Sequence, residues 1–165
     1  MSKIILKNVR LSFPSLFTKE VFEGKEGKYA ATLLIDKKDV EVKKKIDQTI
    51  AALVADSKVK IPSDKYCVKD GDEIEFDGYK NCWSLKASNM KRPTVIDRDK
   101  TPLTSGDDKI YAGCYVNAIV DFWIQNNSYG KRVNANLYGI QFFADGEPFG
   151  QNPTDVIDEF EDLDL

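Results

Sequence analysis

The chain has 165 residues, one domain's worth of sequence and enough to bury a self-sufficient core. It contains no histidine, which excludes Ser-His-Asp and Cys-His catalysis and every histidine-containing zinc site. The net charge of -3 is unevenly divided: six of the 27 acids and none of the 24 basic residues fall between Asp155 and Leu165, so a body of +3 carries a tail of -6.

Lys3 to Phe13 reads as a strand. Ile5, Val9, Leu11 and Phe13 share one parity while Ile4 and Leu6 sit on the other, which predicts a bulge near Lys7-Asn8, and Pro14 is expected to end the strand. Val21 to Gly27 reads as a loop and Tyr29 to Ile35 as a second, largely apolar strand, hairpin-paired with the first. Val42, Ile46, Thr49, Ile50 and Leu53 then recur at spacings of three and four, predicting a helix from about Asp39 to Asp56, capped by Asp36 or Asp39. Lys43, Lys44, Lys45 and Asp47 are expected on its solvated face.

Ser57 to Asn81 is polar and broken by Pro62, Gly71 and Gly78. Its acidic run from Asp70 to Asp77 does not fit an EF-hand, because Glu75 and Asn81 stand where a glycine and a glutamate are needed, and no metal is expected. Cys82 to Met90 alternates Trp83, Leu85 and Ala87 against Ser84, Lys86 and Ser88, the pattern of a half-buried strand. Lys91-Arg92-Pro93 and Thr94 to Ile96 follow, and Asp97 to Asp108 has loop composition.

The strongest strand signal runs from Ile110 to Gln125. Ala112, Cys114, Val116, Ala118, Val120, Phe122 and Ile124 form an unbroken apolar parity that must face the core. Asn126 to Lys131 reads as a turn and Arg132 to Phe143 as the returning strand, with Gly139 shifting the phase so that Ile140 and Phe142 point inward. Six or seven strands with one helix after the second suit a mainly β fold: an OB-fold-type antiparallel barrel over 1–150 with one inserted helix, or a β-sandwich. Residues 151–165 have the composition of a disordered acidic C-terminal tail.

Catalytic readings find little support. Gly24 to Tyr29 has neither the spacing nor the hydroxyl residue of a phosphate-binding loop, and Asp97, Asp99 and Lys100 are the only local cluster that a metal-dependent nuclease could use. No catalytic residue, metal or cofactor is therefore assigned. The three cysteines, Cys67, Cys82 and Cys114, lack a Cys-x-x-Cys spacing and read as buried or incidental thiols of a reducing compartment. Apolar runs such as Ala51 to Ala55 are far short of the roughly 20 residues that cross a bilayer. The expectation is a soluble protein with no leader and no membrane association.

What remains is a set of aromatic and basic side chains off the core parity of neighbouring strands. Single-stranded nucleic acid is held by rings on which bases stack, inside a basic groove that follows the phosphates. Tyr111, Tyr115, Trp123 and Tyr138 supply rings. Lys86, Lys91, Arg92, Arg98, Lys131 and Arg132 lie on or beside the same strands. Each ring has packing as an alternative, and a partner covering the outer face leaves a homodimer open.

Several segments, in order, resemble a known family. These are Lys7 to Phe17 (KNVRLSFPSLF), Lys28 to Ile35 (KYAATLLI), Lys91 to Asp97 (KRPTVID), Tyr111 to Ala118 (YAGCYVNA) and Gly139 to Phe142 (GIQF). They are similar to single-stranded DNA-binding proteins of tailed bacteriophages and prophages, long grouped as a domain of unknown function. The resemblance implies an OB fold and non-enzymatic binding of single-stranded DNA with little sequence preference, in phage replication or recombination in the host cytoplasm. It also implies that an acidic tail, here Asp158, Glu159, Phe160, Glu161, Asp162, Leu163, Asp164 and Leu165, recruits replication or recombination proteins and competes with DNA. A metal-dependent nuclease or junction resolvase, and a virion or partner-binding protein, are the competing classes.

Overall fold

The computed structural model describes residues 3–19, 21–22, 25–76 and 78–149. The acidic tail falls outside the described residues. In chain order the elements are β1 (Lys3–Ser15), β2 (Val21–Phe22), β3 (Lys25–Glu26), β4 (Tyr29–Asp36), α1 (Val40–Ser57), β5 (Val68–Asp70), β6 (Cys82–Asn89), β7 (Thr94–Ile96), β8 (Tyr115–Asn127) and β9 (Gly130–Ala144). The main sheet runs β5-β6-β4-β1-β8-β9-β7, and a parallel bridge between Ser88 and Asn136 joins β6 to β9. That bridge turns β1, β4, β6, β9 and β8 into a ring, the strand arrangement of an OB-type barrel with its last contact parallel.

The ring is not closed by a full ladder. β5 wedges into the opening, pairing antiparallel with β6 from Val68–Leu85 to Asp70–Trp83, while Tyr66 bridges to Val133 of β9. The predicted bulge in β1 is present. Pairing with β8 skips between Leu6 and Val9, Asn8 takes a left-handed φ of 55°, and Ile4 and Leu6 before it and Val9 and Leu11 after it all face the core. The phase shift in β9 is equally clear: its pairing with β8 skips Tyr138, so Leu137 and Ile140 both point inward.

The core lies inside the ring, where Leu6, Leu11, Leu33, Leu85, Val116 and Leu137 are all buried. Burying each such side chain contributes about 1.5–3 kcal/mol. Helix α1 brings Ile46 and Ile50 onto this core, as their spacing predicts. Its cap differs from expectation: Asp39 occupies the N-cap without a side-chain bond, and the Asp36 carboxylate accepts from the Lys38 N–H instead. Lys43 also departs from a purely solvated face, lying 4.2 Å over the Trp83 ring while paired with Asp47.

Four boundaries move. β1 continues through Pro14 to Ser15, and within the segment expected as a loop Val21–Phe22 pairs with Lys25–Glu26. β9 begins at Gly130, because the turn is only two residues long. The strand predicted from Ile110 starts at Tyr115. Gly113 has a φ of 109°, and a Cβ there would lie 2.2 Å from the Glu147 carbonyl oxygen, so the chain turns under a strap formed by residues 144–149. The strap is held by Phe149 N–H donating to the Ala112 carbonyl, and by Arg10, which donates to the carbonyls of Gly113 (3.0 Å) and Glu147 (2.6 Å).

The outer face of β4 is covered too, so this strand is buried on both sides. Tyr79 lies over it, hydrogen-bonded to Ser12 at 2.8 Å and to Thr32, and Leu34 packs with Tyr79, Ala112 and Phe149. On the neighbouring strand β6 the exposed side chain is Lys86.

Candidate nucleic-acid interface

Leu85 and Ala87 of β6 fill the core, so strand alternation turns Ser84, Lys86 and Ser88 outward. Lys86 is exposed at the centre of that row. The β4–β6 register pairs it with Thr32, beneath Tyr79. On the other side β5 pairs Lys69 with Ser84, and Tyr66 and Cys67 lead into it. Trp123 of β8 faces Asn134 of β9, two residues beyond Arg132. Lys28, just before β4, completes the rim.

These residues line one cleft of about 400 Å³ whose walls contain Lys28, Lys69, Lys86 and Arg132, with Tyr66 and Trp123 as rings and no carboxylate. It crosses β6 between the β1–β4 connection and the β8–β9 hairpin, the position where OB folds take oligonucleotides. Trp123 is 36% exposed. Beyond it the hairpin tip carries Tyr129, 85% exposed, its N–H accepted by the Asn127 side chain.

Four loop acids outside the cleft lining are held by partners of their own. Asp70 and Asp72 both hold the Lys37 ammonium at 2.7 Å. The hydrogen bond from Lys37 lowers the Asp70 pKa most, the backbone N–H of Asn81 lowers that of Asp72 most, and the two carboxylates raise that of Lys37. Asp97 is held by Lys109 at 2.9 Å and by the Arg98 N–H, and Asp99 accepts from Thr101; both carboxyls lie below their ordinary pKa through these bonds. Cys67, in the cleft wall, is pushed up to about 12 by burial, so it is a neutral thiol rather than a nucleophile.

Of the ten residues singled out from sequence, the fold brings Lys86, Trp123 and Arg132 together in this cleft. Lys131 adjoins Arg132 in the hairpin, opposite Asn126. Lys91 and Arg92 follow the end of β6, where the Arg92 guanidinium lies 5.3 Å over the Phe17 ring. Arg98 sits 5.7 Å over Phe143, away from the cleft lining. Tyr138, the bulged residue of β9, lines a separate apolar cleft with Ile5, Ile96 and Ile119 and carries Lys3 at 4.8 Å. Tyr115 lies 5.7 Å from Arg10, and the Tyr111 hydroxyl is engaged by Asp145 and by the backbone of Gly146. The sequence reading did not single out Lys28, Tyr66, Lys69 and Tyr129. The first three enter the cleft only through pairings between distant segments, whereas Tyr129 was visible as an aromatic inside a predicted turn.

Comparison with known proteins gives a consistent result. The model of the family described as Enterobacter phage Enc34, ssDNA-binding protein, matches residues 2–165. "Putative protein p50" of Acyrthosiphon pisum secondary endosymbiont phage 1 is 39% identical over 175 residues, covering 99% of this chain and 95% of the relative. The single-stranded DNA-binding protein from bacteriophage Enc34 in complex with ssDNA superposes with a TM-score of 0.83 at 35% identity over 90% of each chain. The single-stranded DNA-binding protein gp2.5 of bacteriophage T7 shares the fold, with a TM-score of 0.59 at 16% identity over 99% of this chain and 98% of its own.

Proposed function

Because the chain belongs to the phage single-stranded DNA-binding protein family typified by that of Enterobacter phage Enc34, we propose that it coats single-stranded DNA through the cleft on β6. The observation that carries this reading is the convergence of four cations and two rings in one cleft over β6, without an acid among them. Lys28, Lys69, Lys86 and Arg132 replace the counterions of successive phosphates, while Trp123 and Tyr66 offer faces on which any base stacks. Backbone charge and ring stacking are common to all four nucleotides, so sequence preference is weak. Lys131 and Tyr129 on the hairpin, and Lys91 and Arg92 beyond β6, extend the path at its two ends.

The protein acts as a binding module rather than an enzyme, in phage DNA replication or recombination in the host cytoplasm. The acidic stretch from Asp158 to Leu165 competes with DNA for the cations of the body and, once displaced, is available to replication or recombination proteins. Among the described residues no helix is long and apolar enough to cross a membrane.

The test is a tryptophan fluorescence titration with oligo-dT at several salt concentrations, on the full chain and on a version stopped after Thr154. Salt-sensitive binding that tightens without the tail supports both the cleft and the competition. Failure of both versions to bind removes the single-stranded DNA reading. Cutting of the oligonucleotide when Mg²⁺ is added replaces the binding module with a nuclease.

A further inference from the structure

We propose that the outer face of the barrel carries a docking cleft for the protein's own C-terminal segment, with Phe160 as the inserted side chain. The cleft is the apolar one beside Tyr138, about 270 Å³ in volume, and it shares no lining residue with the cleft on β6. It therefore stands apart from the DNA reading. Its shape follows from the strand register. Ile5 of β1 pairs with Ile119 of β8, Ile119 with Gly139 of β9, and Gly139 with Thr94 of β7. Gly139 leaves a gap in this row: a Cβ there would lie 3.5 Å from the Thr94 carbonyl oxygen and 4.0 Å from Ile119 Cδ1, ordinary contact distances. Tyr138, 38% exposed, stands at the edge of the gap, and Ile5 beside it is 46% exposed. Exposed apolar surface gathered into a cleft marks a binding site.

Charge names the occupant. Alternation along β1 turns Lys3, Ile5 and Lys7 the same way, so the exposed isoleucine lies between two exposed lysines. Lys3 sits 4.8 Å over the Tyr138 ring. Arg98, also exposed, follows Ile96 of the cleft lining by two residues, and its carbonyl accepts from Gln141 of the same lining. Of the acids nearby, Asp97 is held by Lys109 and Asp121 is the register partner of Lys3. An apolar cleft with this rim fits an apolar side chain flanked by carboxylates. Asp158-Glu159-Phe160-Glu161-Asp162 is such a segment, a ring with two acids on each side.

Reach completes the argument. Phe149 is packed against the Arg10 guanidinium at 4.2 Å, and Arg10 stands five residues from Ile5 on β1, about 17 Å at a rise of about 3.4 Å per residue. Eleven residues lead from Phe149 to Phe160 and span up to about 36 Å when extended. The ring therefore reaches the cleft of its own chain with slack to spare. Seated there, Phe160 is withheld from other proteins until it leaves.

The experiment replaces Phe160 of the full chain with the photoreactive p-benzoylphenylalanine and irradiates it without DNA. Peptide mass mapping is expected to find adducts within residues 3–7, 94–98, 117–119 or 138–141 of the same chain. Adding Ile5→Glu, a change at an exposed position that sets a carboxylate in the cleft wall, is expected to abolish them. In parallel, Phe160→Ala in the otherwise unaltered chain should shift the amide resonances of Ile5, Ile119 and Gly139, all remote from it in sequence, and leave those of α1 in place. Adducts confined to the β6 cleft, adducts found only at twice the chain mass, adducts that persist with Ile5→Glu, or amide resonances unmoved by Phe160→Ala each overturn the dock. Oligo-dT binding is measured separately, so its failure would remove the DNA reading and leave the dock standing.

Discussion

The guanidinium of Arg10 lies 4.2 Å from the ring centroid of Phe149, so a residue of the first strand clamps the last described side chain to the barrel. The same group donates to the carbonyls of Gly113 and Glu147, which fastens the 144–149 strap across the turn at Gly113. Charge-assisted bonds to carbonyls contribute about 1.5–3 kcal/mol each where they are sheltered from water, and less in a half-exposed setting such as this one. Arg10→Ala is therefore expected to lower stability by about 2 kcal/mol in urea unfolding. Arg10→Lys should recover little, since an ammonium cannot donate in two fixed directions while stacking on a ring. Limited proteolysis should show cleavage within the strap in both variants before the barrel is cut.

Neutralising the cleft should change the salt dependence of DNA binding. Lys86→Ala and Arg132→Ala are each expected to reduce the slope of log K against log salt by about 0.7, the value for one phosphate of a single strand. Lys44→Ala, which removes an exposed charge from α1 outside the cleft lining, should leave the slope unchanged. Equal slopes for all three would place the phosphates elsewhere on the surface.

Tyr129 separates binding from stability. At 85% exposure its ring contributes nothing to the core, so Tyr129→Ala should unfold within about 0.5 kcal/mol of the wild type. If the hairpin tip stacks a base, oligo-dT affinity falls by about 1 kcal/mol or more, independently of salt. Thermal melts and a titration at fixed salt measure the two effects on the same sample.

The Lys37 ion pairs give an acid-limb prediction. Asp70 and Asp72 have pKa values lowered in the folded protein, so the stability they contribute is present above the ordinary carboxylate range and is lost as pH falls through their lowered values. The Lys37 pKa is raised, so its share persists below its ordinary value and disappears only at strongly alkaline pH. Urea unfolding from pH 6 to pH 2 should show this decline, and Lys37→Met should flatten it. An undiminished decline in the variant would assign it to other carboxyls, such as Asp97 and Asp99.

Much of the barrel was legible because strand parity is a local signal. The mismatch of Leu6 with Val9 revealed the β1 bulge, and the mismatch of Leu137 with Ile140 revealed that of β9. The same alternation placed Lys86, Trp123 and Arg132 off the core and therefore in the cleft. It could not tell a free outer face from a covered one. Tyr111 and Tyr115 have the same parity as Trp123, yet the first is bonded to the strap and the second lies beside it. Lys69 and Tyr66 were unreadable for a related reason: β5 is three residues long and gains its meaning only from pairing with β6 and approaching β9.

That wedge has a thermodynamic consequence. Where β6 meets β9 the ring is joined by one parallel bridge and the inserted β5, so this seam has fewer backbone hydrogen bonds across it than any other strand junction of the ring. The proposed DNA site spans it, with Lys69 and Lys86 on one side and Arg132 on the other. A bound strand then acts as a brace across the joint. Occupancy and closure become linked equilibria, and saturating oligonucleotide should slow amide exchange most at residues 66–70 and 132–136, far more than in α1.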